Sequence, residues 1–265
     1  MEMKAVDLGF RYYDNVILSD VNVDLEGNKM VSIIGPNGVG KTTLIHCFSK
    51  ILKPTDGRVY VNGKDIEDYK LKELAKIIAY VPCTSLDTFP LTVTDTVLLG
   101  RNPHSKWGSL NRDLEKVQET LRLLGIEDLA MRPFNELSAG QRQKVVLARG
   151  LVQESQILLL DEPTANLDIK HQMGVTRLLR DYSHKQGIMV IMISHDLNIA
   201  AKYSDEVIML YGGNIFAKGS PKDTINPENI EAVYGVRSKT VINNGRPHVI
   251  LEDDDDPKTN ICAGA

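Results

Sequence analysis

The run Gly35-Pro36-Asn37-Gly38-Val39-Gly40-Lys41-Thr42 fits the pattern G-x-x-x-x-G-K-[ST], and Thr43 doubles its terminal hydroxyl. Its flanks restrict what the chain can fold into. Met30 to Ile34 is a continuous apolar run with the character of a buried strand, and Leu44, Ile45, Phe48, Ile51 and Leu52 follow at helical spacing. A strand, a glycine-rich loop and a helix in that order aim backbone N–H groups and the positive end of a helix dipole at an anion. The glycines allow close approach, Lys41 supplies a cation for β- and γ-phosphates, and the Thr42 hydroxyl suits Mg²⁺. An accidental glycine-rich turn would match in about one random chain of this length in a hundred. With a strand before it and a helix after it, the loop points to nucleotide binding.

A chain of 265 residues accommodates one large α/β domain or two small ones. It holds no run of 18 apolar residues, and Met1-Glu2-Met3-Lys4 lacks the apolar stretch of a signal peptide. A net charge of −4 gives no reason to expect nucleic acid as the main partner. Cys47, Cys83 and Cys262 lack metal-ligand spacing and suit a reducing cytosol. The six histidines are scattered, so no structural metal is expected.

Short alternating stretches run to about Leu25, and Glu26-Gly27-Asn28 turns the chain into the first buried strand. Lys53-Pro54-Thr55-Asp56-Gly57 should end the first helix, and Arg58 to Val61 reads as a strand turning at Asn62-Gly63. Leu71 to Lys76 looks helical, and Ile77 to Val81 is a strand ending at Pro82. From Cys83 to about Arg132 the patterns become helical, at Thr94–Leu99 and around Leu114, Val117, Leu121 and Leu124. This is the pattern of a helical insertion between two strands. Ser138 and Gln141 stand in the S-x-x-Q capping relation that marks a helix start. Gln156 to Leu160 is an apolar strand closing on Asp161-Glu162, and Met189 to Ile193 is another closing on Ser194-His195, with a helix from His171 to Tyr182 between them. Glu206 to Leu210 and Asn214 to Ala217 read as a closing hairpin through Gly212-Gly213. Five acids from Glu252 to Asp256 suit a solvated, mobile tail.

Open α/β sheets bind ligands beyond the C-terminal ends of their strands. Asp161 stands at such an end and fits the acid that holds a metal beside a phosphate loop; Glu162 can orient and deprotonate water. Taken alone, the two acids suit the capping of a following helix equally well. His195 taken alone reads more readily as structural than as a contact to a γ-phosphate or to water.

Five elements nonetheless occur in one order: G-P-N-G-V-G-K-T-T, L-S-A-G-Q, L-L-L-D-E-P-T, A-N-L-D and S-H-D. Together they resemble the nucleotide-binding subunits of ATP-binding cassette (ABC) transporters, over nearly the whole chain. L-S-A-G-Q is similar to the family signature L-S-G-G-Q, with Ala139 for the first of the paired glycines. The resemblance implies an α/β fold: a P-loop ATPase core with a mixed sheet, spanning 1–240, a helical subdomain inserted at about 84–150, and a C-terminal extension over 241–265. It implies ATP and Mg²⁺, and a head-to-tail homodimer in which Ser138, Ala139, Gly140 and Gln141 of one chain face the ATP held by the other. Position by position, Tyr12 resembles the aromatic that stacks on adenine, with Tyr13 its neighbour. Gly35 to Thr43 would hold the phosphates, and Thr42 with Asp161 the metal. Glu162 resembles the general base, His195 the histidine that positions water and γ-phosphate, and Asp168 the dimer-contact aspartate. Cys83 departs from the family, which usually carries glutamine there; a thiol is shorter and a poor hydrogen-bond partner. The departure should spare nucleotide binding and weaken the coupling of hydrolysis to the insertion.

Gly100-Arg101-Asn102-Pro103-His104 and Leu167-Asp168-Ile169-Lys170-His171-Gln172 resemble the ATPases of importers for iron–siderophore, haem and vitamin B12. That branch implies two integral-membrane permease subunits docked along Thr84 to Trp107, a solute-binding protein acting indirectly, and a peripheral position on the cytoplasmic face of the membrane. Two other readings are a soluble non-transport ABC ATPase and a regulatory nucleotide-binding module with weak turnover owing to Cys83.

Overall fold

The computed structural model describes residues 1–83, 91–106, 108–165 and 167–252. Two antiparallel strands open the chain, β1 (Glu2–Tyr12) and β2 (Asn15–Glu26), longer than the short stretches expected there. β3 (Met30–Ile34) is buried at every residue and runs through the glycine-rich loop into α1 (Lys41–Phe48). The helix stops a turn before the expected Ile51 and Leu52. Lys50 adopts a left-handed φ of 60° there, and its ammonium group donates to the carbonyls of Ile66, Glu67 and Tyr69. β4 (Asp56–Val61) and β5 (Lys64–Asp65) turn at Asn62-Gly63, both at positive φ, as an Asn-Gly hairpin requires. α2 (Leu71–Leu74) and β6 (Ile78–Val81) follow.

The chain then leaves the sheet for the helical insertion. It comprises α3 (Val93–Leu98), a 3₁₀ segment over Leu99–His104, α4 (Leu110–Leu123) and α5 (Ala139–Leu151). It re-enters at β7 (Ile157–Leu160) and continues through α6 (Ile169–Gln186), β8 (Met189–Ile193), α7 (Leu197–Tyr203), β9 (Glu206–Tyr211) and β10 (Asn214–Gly219). α8 (Pro221–Thr224), α9 (Pro227–Tyr234) and a hairpin of β11 (Ser238–Asn243) and β12 (Arg246–Leu251) complete the described chain. Residue 240, where the ATPase domain was expected to end, lies within β11, and β12 continues to Leu251. Trp107, Cys262 and residues 253–256 of the acidic run lie outside the described residues.

The central sheet has the order β10-β9-β3-β8-β7-β6, all parallel except β10, and a second, antiparallel sheet has the order β2-β1-β4-β5. Side chains alternate across a strand. Val31, Ile33, Leu159 and Ile191 accordingly join the core shared with α1 and the antiparallel sheet. Met30, Leu158, Leu160, Val190 and Met192 face the core shared with α3 to α6. Both faces are covered, which is why these strands read as unbroken apolar runs. Phosphate loop, Asp161-Glu162 and His195 all follow the C-terminal ends of adjacent strands, β3, β7 and β8, and so meet at one edge of the sheet.

Candidate nucleotide site

Backbone shape builds the loop. Gly35, Gly38 and Gly40 have φ of 147°, 80° and 99°, and a Cβ on Gly35 would lie 2.3 Å from the Leu210 carbonyl oxygen. Only glycine fits there. Gly40 caps α1 in a left-handed conformation, and Ile17 and Leu18 of β2 press against it from the side. Lys41 is 6% exposed and donates from Nζ to the carbonyls of Gly35 and Pro36, at 2.8 and 2.7 Å. Burial lowers its pKa from the usual lysine value, while the charges of Glu162 and Asp161 act in the opposite direction. Pro36, Asn37, Val39 and Thr43 complete the loop, with Val39 packed against the core beside Gly35.

Thr42 and Asp161 meet, with Thr42 Oγ1 donating to Asp161 Oδ1 at 3.4 Å. Asp161 is 6% exposed, and burial raises its pKa above the usual carboxylate value. A hydroxyl and a buried carboxylate, both oxygen donors, fit Mg²⁺, which takes few protein ligands beside substrate phosphates. Glu162 follows at a left-handed φ of 50°, uncommon for a non-glycine residue and the kind of backbone strain found at functional sites. One of its oxygens bonds His195 Nε2. The other accepts from Cys83 Sγ at 3.8 Å. The thiol is pushed up to about 11, by burial first and then by the charges of Glu162 and Asp161. Asp196 caps α7 just after His195, accepting from the N–H groups of Asn198 and Ile199, so the histidine is held on a defined turn.

Under this cluster His46 Nε2 meets the Tyr80 hydroxyl at 2.9 Å, linking α1 to β6. Sequence reasoning missed the pair. No spacing rule connects residues from two elements that become neighbours only in the sheet. Tyr12 stands at the end of β1, half-exposed, with its ring edge-on to Phe10 at 4.8 Å; Tyr13 is 97% exposed.

Ser138 and Gln141 form the expected capping box. Gln141 N–H donates to Ser138 Oγ at 3.3 Å, and Ser138 N–H donates to Gln141 Oε1 at 3.0 Å. Ala139 takes the first helical position of α5 and does not have a positive φ, so glycine is not needed there. Ser138, Gly140 and Gln141 line a cleft of about 520 Å³ together with Lys144, Asp168 and His171. Asp168 caps α6, accepting from the His171 N–H and ring Nδ1 at 2.9 Å. None of Gly35 to Thr43 lines this cleft. The signature and the phosphate loop are thus two separate surfaces of one chain.

Comparison with known proteins agrees with this geometry. Residues 18–165 match the family model for the ABC transporter. An uncharacterized ABC transporter ATP-binding protein of Methanocaldococcus jannaschii is 49% identical over 227 residues, 86% of this chain and 89% of the relative. An iron(3+)-hydroxamate import ATP-binding protein of Bacillus subtilis is 37% identical over 241 residues, 90% of each chain. A chain of an inward-facing ABC transporter, described as of metal-chelate type, has a TM-score of 0.81 at 28% identity, covering 95% of this chain and 97% of that one. A dimeric ATP-binding cassette bound to ADP and phosphate has a TM-score of 0.74 at 28% identity, covering 83% and 98%. Phosphate loop, strand-end acids, capped signature helix and sequence kinship converge: the chain belongs to the ABC transporter ATP-binding family and is an ATPase.

Proposed function

We propose that the chain energises import of a metal chelate, of the iron–siderophore, haem or cobalamin class, as a homodimer on two permease subunits at the cytoplasmic face of a membrane. Among the described residues no helix is long and apolar enough to cross a membrane. Relatives named for iron-hydroxamate and hemin import support the cargo class. A solute-binding protein would deliver the cargo to the permease.

The observation that carries the reading is the split site. Lys41, Thr42, Asp161 and Glu162 gather on one surface, while Ser138 to Gln141 and Asp168 line another. A head-to-tail dimer joins one of each. Thr42 and Asp161 would hold Mg²⁺, which when bound neutralises phosphate charge. Lys41 adds a fixed cation, and the loop N–H groups orient the phosphates. Glu162 takes the proton of the attacking water, and His195 orients the Glu162 carboxylate through their shared hydrogen bond. Tyr12, half-exposed at the end of β1, is the surface for adenine.

Glu162→Gln keeps the shape and loses the base. ATP binding is expected to persist, with turnover falling about 10²–10⁴-fold and an ATP-bound dimer accumulating. Hydrolysis assays with ultracentrifugation check this; near-parental turnover would remove Glu162 from the base role. Co-purification of integral-membrane subunits tests transport, and recovery of ribosomes or nucleic acid instead would favour a soluble ABC ATPase.

A further inference from the structure

Gly100-Arg101-Asn102-Pro103-His104 lies away from the phosphate site, yet its residues grip the end of the signature helix. A Cβ on Gly100 would lie 2.2 Å from the Arg149 carbonyl oxygen and 2.7 Å from a Val152 methyl group. The 3₁₀ backbone therefore rests directly on the last turn of α5. Arg101 is 5% exposed. Its Nε donates to Asp113 Oδ1 of α4 at 2.9 Å, and its Nη1 to the Val152 carbonyl at 2.7 Å and to Glu154 Oε2 at 2.8 Å. Asp113, itself 5% exposed, also accepts from Ser109 Oγ at 2.7 Å. Glu154 takes Lys116 Nζ at 3.1 Å. His104 Nε2 meets the Gln153 carbonyl at 2.8 Å, and the Gln153 amide donates to the carbonyls of Ala75 and Ile78 at the start of β6.

A helix ends with carbonyls that lack partners, and a cation there also suits its dipole. Arg101 supplies both at the C-terminal cap residue of α5, Val152. Two features argue for more than capping. The guanidinium fork bonds α4, the cap of α5 and the loop just after it at once, and its buried pairing with Asp113 is a costly way to gain stability but a way to enforce one arrangement. The other end of the same helix carries Ser138. With 13 residues, α5 is ~20 Å long, so a tilt of ~10° at the clamped end would move Ser138 by ~3 Å, a full hydrogen-bond length.

We propose that Arg101 is a positioning residue that locks Leu99–His104, α4 and the C-terminal end of α5 into one body, and thereby sets where Ser138 meets the nucleotide held by a second copy of the chain. The second half of that statement rests on the head-to-tail reading above. The lock itself does not.

Two full-chain variants test it. Arg101→Lys keeps the charge and loses the fork; Arg101→Met with Asp113→Leu removes both charges and keeps apolar volume, which guards against misfolding from an unpaired acid. Hydrogen exchange should rise about tenfold or more in peptides from 98–104 and 139–151 together, with α1 and β8 unchanged and ATP affinity within about twofold of the parent. In a Glu162→Gln background, ATP-dependent dimerisation should weaken about tenfold or more. Faster exchange confined to 98–104 would overturn the lock. Unaltered dimerisation in a variant whose exchange has risen in both regions would overturn the link to Ser138. If Glu162→Gln with Arg101 intact stays monomeric with ATP, the head-to-tail reading fails, and the exchange pattern still decides the lock.

Discussion

Glu162 receives two hydrogen bonds from residues of opposite character. His195 offers a ring nitrogen, whereas Cys83 is a protonated thiol held 3.8 Å from the carboxylate. The thiol pKa of about 11 has a chemical consequence, because the thiolate alone is nucleophilic. Since the shift is upward, the thiol form persists through neutral pH, and reactivity grows as pH rises towards that value. In a Cys262→Ser chain, iodoacetamide should therefore label Cys83 about 10²-fold more slowly at pH 8 than an ordinary thiol with pKa ~8.5. Cys47 is fully buried with a pKa near 12 and should stay silent. Adding Glu162→Gln removes one of the charges that raise the Cys83 pKa, so labelling should accelerate. Labelling that Glu162→Gln leaves unchanged would contradict the Cys83–Glu162 contact, and ordinary rates in the parent would contradict the burial of the thiol.

At the scale of elements, α5 is defined by both of its ends. Its start is a two-way capping box, so Ser138→Ala loses the acceptor for the Gln141 N–H and costs about 1 kcal/mol. For a chain of this size that lowers the melting temperature by about 2–4 °C, measurable by calorimetry. ATP affinity of the isolated chain should not change, because Ser138 stands in the cleft with Asp168 and not on the phosphate loop. A loss of monomer ATP affinity would place Ser138 in the site of its own chain. The end of α5 is closed by Arg101 and by Gly150, whose missing side chain lets the helix sit on Val81 of β6. Ser138–Gln141 was readable from sequence because its partners are three residues apart. The Arg101 end was not: G-R-x-P-H stands out as a string, but nothing local says that Arg101 finds Val152, 51 positions away.

For the whole molecule, the C-terminal hairpin docks on α7. Asn198, in the first turn of α7 after His195, pairs with the backbone of Val249 in both directions, at 2.7 and 3.1 Å, and Arg246 donates to the Ser204 carbonyl beyond the other end of that helix. Asn198→Ala would leave the Val249 N–H and carbonyl without these partners, a cost of about 1–3 kcal/mol. Limited proteolysis should then cut within 238–251 well before the sheet unfolds; unchanged protection would show that the hairpin is held by other contacts. Composition does not reveal this docking, since it says nothing about an asparagine side chain that bonds a strand's backbone in both directions. By itself, the sequence determined several features whose partners are close along the chain. That covers the glycine-rich loop with its lysine, the buried strands from their unbroken apolar runs, the helical insertion and the box at Ser138. Only the tertiary structure decided which distant groups meet: His46 with Tyr80 across 34 positions, and Cys83 with Glu162 across 79. The reason is physical. Local motifs are set by backbone conformation and spacing, whereas distant contacts follow from strand order and the packing of both sheet faces, to which every part of the chain contributes.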